Sequence, residues 1–205
     1  QAAGQTVLAG QVRDENDKPL GGVSIKLGGS NPTTLGTTDA AGNFLVNLSV
    51  AGSQVFLIDG STASTSTLSY PTIPVTLNIQ AGVVNSLGFV PHLHSQPTAK
   101  LIPITPGQET VLTDPDLPGF KMTIPAGVQI IGWDGQPNTQ VSVKAIPIDR
   151  SPIPPPPPGQ SSRVVYLFYF GKVGGGLPTG NIPVDTPNDV DGLPGDKADL
   201  YYFNE

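Results

Sequence analysis

The amino-acid sequence predicts an all-β protein with little or no helix, built as two consecutive β-sandwich modules of Ig-like or transthyretin-like type joined by a proline-rich linker. Three observations carry this expectation. The 205 residues include 25 glycines and 23 prolines, yet 37% are hydrophobic, a mixture that suits short strands joined by tight turns rather than helices or a disordered tail. Apolar residues alternate with polar ones in short windows at regular spacing, and no window carries a 3.6-residue apolar period. The length falls between one large domain and two small ones, and the pattern along the chain favours a first module at residues 1–90, a linker at 91–110 and a second module at 111–205.

The first module opens with alternation from Val7 to Arg13, closed by the polar turn Asp14-Glu15-Asn16-Asp17-Lys18-Pro19. Val23-Ser24-Ile25-Lys26-Leu27 follows as the clearest period-two strand. Its pattern places Val23, Ile25 and Leu27 on a buried face and Ser24 and Lys26 on a wet one. Residues 34–39 form the next strand, Ala41-Gly42-Asn43 turns the chain, and residues 44–48, 54–58, 73–79 and 83–90 complete roughly seven strands.

Prolines without alternation mark residues 91–107 as an extended, semi-rigid linker. In the second module, Asp114-Pro115-Asp116-Leu117-Pro118-Gly119 is a dense turn and residues 120–124 alternate as a strand. Asp134-Gly135 signals a hairpin between strands at 128–133 and 141–148. The prolines between Pro152 and Pro158 predict polyproline II, because φ is locked and donors are missing. Val164-Val165-Tyr166-Leu167-Phe168-Tyr169-Phe170 is too short for a helix and rich in β-formers, so it is expected as a central strand.

Specific residues carry a family resemblance. Val7-Leu8-Ala9-Gly10-Gln11-Val12-Arg13-Asp14, then Lys18-Pro19-Leu20-Gly21-Gly22-Val23-Ser24-Ile25, then Thr37-Thr38-Asp39-Ala40-Ala41-Gly42-Asn43-Phe44 resemble the carboxypeptidase regulatory-like domain, a transthyretin-like β-sandwich. Pro19 fixes φ in the first turn, and Gly42 supplies a conformation that other residues disfavour. The resemblance covers residues 6–60 and implies an appended folding and interaction module without catalytic residues. Further on, Phe89-Val90-Pro91, Pro118-Gly119-Phe120, Thr123-Ile124-Pro125-Ala126-Gly127, Val141-Ser142-Val143, Ile146-Pro147-Ile148-Asp149-Arg150 and Gly192-Leu193-Pro194-Gly195 are similar to the region that follows such a domain in large bacterial surface and RHS/YD-repeat proteins. That region is similar in style to ZU5-type sandwiches, and the resemblance implies a scaffold or stalk.

Charge narrows the partners. Only 13% of residues are charged and the net charge is −6, so no basic surface is expected for nucleic acid or anionic lipid. Zero cysteines removes disulfides, thiolate catalysis and zinc–thiolate sites. No apolar run approaches the ~18 residues of a membrane span, so no membrane insertion is expected. Abundant Thr, Ser, Asn and Gln, with an opening Gln1-Ala2-Ala3-Gly4 that resembles a chain after signal-peptide removal, point to a secreted or cell-surface protein.

Each chemical constellation has a plainer alternative. His92 and His94 share the spacing of one strand face, but a zinc site needs three or four ligands, so a surface position on the linker is expected. Asp185, Asn188, Asp189, Asp191, Asp196 and Asp199 form an acidic run in which Asp189, Asp191 and Asp196 are calcium candidates. Pro187 and Ala198 break the EF-hand template there, and a plain acidic loop is favoured. Asp114 and Asp116 read as turn residues rather than an acid/base pair, no G-x-S-x-G elbow is present, and Gly174-Gly175-Gly176 lacks P-loop register. Trp133, Tyr166, Tyr169, Tyr201 and Tyr202 suit strand packing better than a sugar platform, and Asn47-Leu48-Ser49 is a glycosylation sequon.

The expectation is therefore a non-catalytic structural or adhesive module without cofactors, calcium aside. Its partners are expected to be other copies of itself or downstream domains of a larger surface protein. A carbohydrate-binding module with glycan partners, and a scaffold fragment of an RHS/YD-repeat toxin-like protein, are the alternatives. The chain closes on Leu200-Tyr201-Tyr202-Phe203 without a turn, and residues 1–8 are small and uncharged. Donation of that N-terminal segment to a neighbouring copy, giving a filament, is the expected mode of self-association.

Overall fold

Period-two windows become short strands wherever one face finds a core. The computed structural model describes residues 4–132, 135–146, 150, 165–169 and 176–187. Among the described residues no helix reaches seven residues, and with 47% strand and 5% helical turn the fold is all-β.

Nine strands use the first part of the chain: β1 (Val7–Gln11), β2 (Arg13–Asp14), β3 (Ser24–Leu27), β4 (Thr33–Thr37), β5 (Asn43–Asn47), β6 (Gly52–Asp59), β7 (Leu68–Ser69), β8 (Thr72–Ile79) and β9 (Val84–Ser86). One sheet has the order β4-β3-β6-β8, and the other places β1 between β5 and β9. β1 runs antiparallel to β5 and parallel to β9. Leu8, Ile25, Phe44, Val46, Phe56 and Ile58 fill the space between the sheets as members of one buried cluster. The turn into β5 requires glycine at position 42. Its φ is +72°, and a Cβ there would stand 2.4 Å from the Val12 carbonyl oxygen.

Two expectations for this part need correction. The second face of β3 is not wet, because Ser24 is buried and the Lys26 ammonium reaches across to Asp59, which is 1% exposed. A strand between two neighbours, β4 and β6, has both flanks occupied, and its polar face is covered by the Asp59 turn. Residues 6–8 of the expected donor segment are also not free. Val7 and Leu8 are fully buried in β1, so donating them would open the chain's own sheet.

Among the described residues ten strands follow: β10 (His92–Leu93), β11 (Gln96–Pro97), β12 (Ile102–Pro103), β13 (Thr110–Leu112), β14 (Lys121–Ile124), β15 (Ile130–Gly132), β16 (Gln140–Ile146), β17 (Val165–Tyr169), β18 (Gly176–Pro178) and β19 (Val184–Asp185). They form the sheets β12-β16-β17, β13-β14-β19 and β15-β18, while β10 and β11 join strands of the first part. Leu112, Phe120, Met122, Ile124, Ile130, Val141 and Val143 make a second buried cluster with no member in common with the first. Phe168 of β17 packs on it, its ring centroid 6.1 Å from that of Phe120.

The Asp134-Gly135 hairpin is corrected as well. A tight turn does form, with Gly132 N–H donating to the Gln136 carbonyl and Asn138 N–H to the Ile130 carbonyl. The chain then leaves, so β15 pairs with β18 and β16 pairs with β12 and β17. Burial explains the departure: Val141, Val143 and Ile146 are all buried in β16, which gains more core between two strands than beside the short β15. β17, expected as central, pairs on one side among the described residues.

Candidate functional site

The residues expected to form a linker are divided between the two parts of the chain. His92 and Leu93 pair with Arg13 and Asp14, Gln96 and Pro97 with Ser69 and Leu68, and Ile102 and Pro103 with Val141 and Gln140. Between these pairings lies only a 3-10 turn, Thr98–Lys100. The surface placement is therefore corrected for His94: Leu93 is fully buried, and His94, Ser95 and Gln96 are 2%, 7% and 1% exposed, whereas His92 is half-buried. Prolines misled here, because missing donors mark a segment that cannot sit mid-sheet yet do not stop it pairing at an edge.

Around this segment a polar joint is built from three pieces of chain. The Asp14–Lys18 turn supplies the acids. Asp14 Oδ1 accepts the N–H groups of Asn16 and Lys18, and Asp17 takes φ +64°, a left-handed value that Asp tolerates better than most residues. That turn carries Glu15 and Asp17 toward residues 92–95.

Glu15 receives the Ser95 hydroxyl at 2.5 Å and the Ser95 N–H at 3.2 Å, and Lys144 of β16 stands 3.6 Å away. Lys144 also donates to the Ser95 carbonyl at 3.0 Å. Burial raises the Glu15 carboxyl, but the Ser95 hydrogen bonds and the Lys144 charge outweigh it and leave it below the ordinary carboxylate range. Asp17 gathers the His92 ring, whose Nε2 stands at 3.0 Å, and two cationic side chains, Arg13 at 3.1 Å and Arg150 at 3.5 Å. The His92 hydrogen bond, then those charges, hold the Asp17 carboxyl low.

His94 turns the other way. Its Nε2 lies 2.6 Å from the Arg150 carbonyl oxygen, a contact in which the ring nitrogen donates. Burial pushes this histidine below its ordinary pKa, and the nearby Lys144 adds to the effect. Burial thus favours the neutral ring, which serves as an N–H donor between the two parts of the chain.

A second network is local. Asp59 accepts from Lys26, from the Ser61 N–H and hydroxyl and from the Thr72 hydroxyl. Burial opposes its ionisation, yet these donors keep its carboxyl low. This cluster ties β3, β6 and β8 together. Asp114 and Asp116 lie in a turn, Asp114 Oδ1 accepting the Asp116 N–H, and both contact Lys100.

Among the described residues, no group of three or more His, Asp or Glu is placed to hold a metal ion. The calcium candidates Asp189, Asp191 and Asp196, with Trp133, Tyr201, Tyr202 and the 152–158 prolines, lie outside the described residues. Tyr166 and Tyr169 lie in β17, on the strand that pairs with β16. Among the described residues, no helix is long and apolar enough to cross a membrane.

The joint residues Glu15, Asp17, Ser95, Lys144 and Arg150 were not legible as a group. Glu15 and Asp17 read as turn polarity, and nothing in their spacing announces partners about 80 residues away, such as Ser95. One signal was available, since the chain's scarce charges crowd into residues 13–18. No protein-family model matches the chain, and no curated protein matches it in sequence.

Proposed function

We propose that this chain is a non-catalytic structural module of a secreted or cell-surface protein, acting as a stiff spacer of two sandwich-like bodies held at a fixed angle. The first body is read as a carboxypeptidase regulatory-like sandwich and the second as its scaffold-type successor. The observation that carries the reading is the joint: a connector paired to both parts and closed by Glu15, Ser95 and Lys144 on one side and Asp17, His92 and Arg150 on the other. Partly buried ionic contacts add little stability for their cost but fix geometry well, which a spacer needs and a tether does not. Scarce charge and the excess of Thr, Ser, Asn and Gln support the extracellular placement.

Hydrogen exchange tests the reading. The amides of Ser95, Thr98 and Ile104 donate to Glu15, to the Thr67 carbonyl and to the Thr139 carbonyl. A spacer predicts that all three exchange slowly, within about tenfold of core strand amides. Exchange at the rate of an unstructured peptide would make the connector a tether and refute the proposal.

A further inference from the structure

The joint leaves β5 untouched, and β5 is an edge strand whose outer rim is undefended. In the antiparallel ladder with β1, Leu48 N–H donates to the Thr6 carbonyl and Val12 N–H to the Gly42 carbonyl. Bonded and non-bonded pairs alternate along such a ladder. With Leu8 opposite Val46 and Gly10 opposite Phe44, the backbone groups of Phe44 and Val46 face β1, and those of Asn43, Leu45 and Asn47 face outward. Asp39 closes one end, its carboxylate accepting the Asn43 N–H and its own N–H donating to the Asn43 carbonyl. Leu45 and Asn47 keep both N–H and C=O on the open rim.

Edge strands are ordinarily blunted by lysine, proline or a bulge. β8 carries Pro74, and the pairing of β4 with β3 slips between Ile25 and Lys26. β5 has none of these, and its Leu45 side chain is 65% exposed. From Leu27 to Ile58 the one charged residue is Asp39.

We infer that β5 is a homotypic docking edge, where a second copy of this chain pairs antiparallel through its own β5 about a two-fold axis at Val46. Two features select a second copy. The open rim is self-complementary: the axis sets Leu45 opposite Asn47 of the second copy and the reverse, so the open N–H and C=O groups of both residues meet partners. The charge pattern agrees, because a chain of net charge −6 repels its copies over most of its surface but not over this neutral stretch. The antiparallel arrangement also carries the two Asp39 carboxylates to opposite ends. The sheet becomes six-stranded, β9-β1-β5 continuing into its copy, and Val46 meets Val46 of the second copy between the two cores. The contact is isologous, so it closes as a dimer and not as a filament. It goes beyond the spacer reading and does not depend on it.

Sedimentation of the full chain over the micromolar to roughly hundred-micromolar range tests this. The wild type is expected to dimerise, and Leu45→Lys to weaken association at least tenfold with an unchanged far-UV spectrum and melting temperature. Leu177→Lys, at an exposed leucine elsewhere, should leave dimerisation intact. The amides of Leu45 and Asn47 should gain exchange protection as concentration rises. A wild type that stays monomeric throughout, a Leu45→Lys dimer as tight as wild type, or loss of the dimer in Leu177→Lys would each overturn the inference.

Discussion

Removing the Glu15 carboxylate should loosen the joint while leaving both buried clusters folded. In Glu15→Ala, Ser95, which is 7% exposed, loses acceptors for its hydroxyl and its N–H. A buried donor left without a partner costs about 1–3 kcal/mol, and water reaching the partly exposed Glu15 site reduces each loss toward the lower figure. Lys144, at 3.6 Å and about one-third exposed, adds under about 1 kcal/mol. The sum is about 2–3 kcal/mol of local opening. At about 1.4 kcal/mol per factor of ten, that is roughly 30- to 150-fold faster exchange. The reporting amides are those that do not touch Glu15: Arg13, which donates to the Pro91 carbonyl, and Thr98, which donates to the Thr67 carbonyl. Hydrogen exchange read by NMR should show both accelerated, with amides of β6 and β14 unchanged. Acceleration of less than threefold at Arg13 and Thr98 would refute the claim that Glu15 holds the connector down.

Three further outcomes follow from the same geometry. Asp59→Ala should cost about 3 kcal/mol in chemical denaturation, because it strands the buried Thr72 hydroxyl, while Lys26, 23% exposed, can turn to water; a loss below 1 kcal/mol would contradict the assigned network. Gly42→Ala should cost at least about 2 kcal/mol, since it combines φ +72° with a Cβ 2.4 Å from a carbonyl oxygen, and a neutral result would refute that turn. His94, held by burial below its ordinary value of about 6.5, gives the joint a pH dependence. The unfolded chain binds the proton first as pH falls, so stability is full above about 6.5 and is lost as pH drops toward the lowered folded value. Melting from about pH 8 to about pH 5 should show that decline in wild type and a flatter profile in His94→Gln. Equal slopes would remove His94 as the cause.

Strand positions in the first part were legible because each strand has one partner face and one period. Val23 and Ile25 sit on the buried face where alternation puts them, and Gly42 turns the chain where only glycine fits. Pairing was less legible. A tight turn closes between Gly132 and Gln136, but a two-residue signal fixes the turn and not the strands beyond, and β16 follows its three buried apolar residues to other neighbours. The joint was hidden for a different reason. Its ion pairs join residues far apart in sequence, so Glu15 and Asp17 carried only the local information of a polar turn, and the prolines around His92 and His94 looked like solvent-exposed linker. Ser24 was misread because alternation distinguishes two faces without saying whether the second meets water or another buried group.

The spacer claim is tested most directly by a distance distribution between the two parts of the chain. The absence of cysteine allows a clean double label at the exposed positions Thr76→Cys in β8 and Lys121→Cys in β14. Pulsed dipolar spectroscopy at neutral pH should give one narrow distribution for the wild-type background, and a broader one once Glu15→Ala and Asp17→Asn are added. A broad distribution in the wild-type background, unchanged by those substitutions, would show two bodies moving independently and would contradict the account.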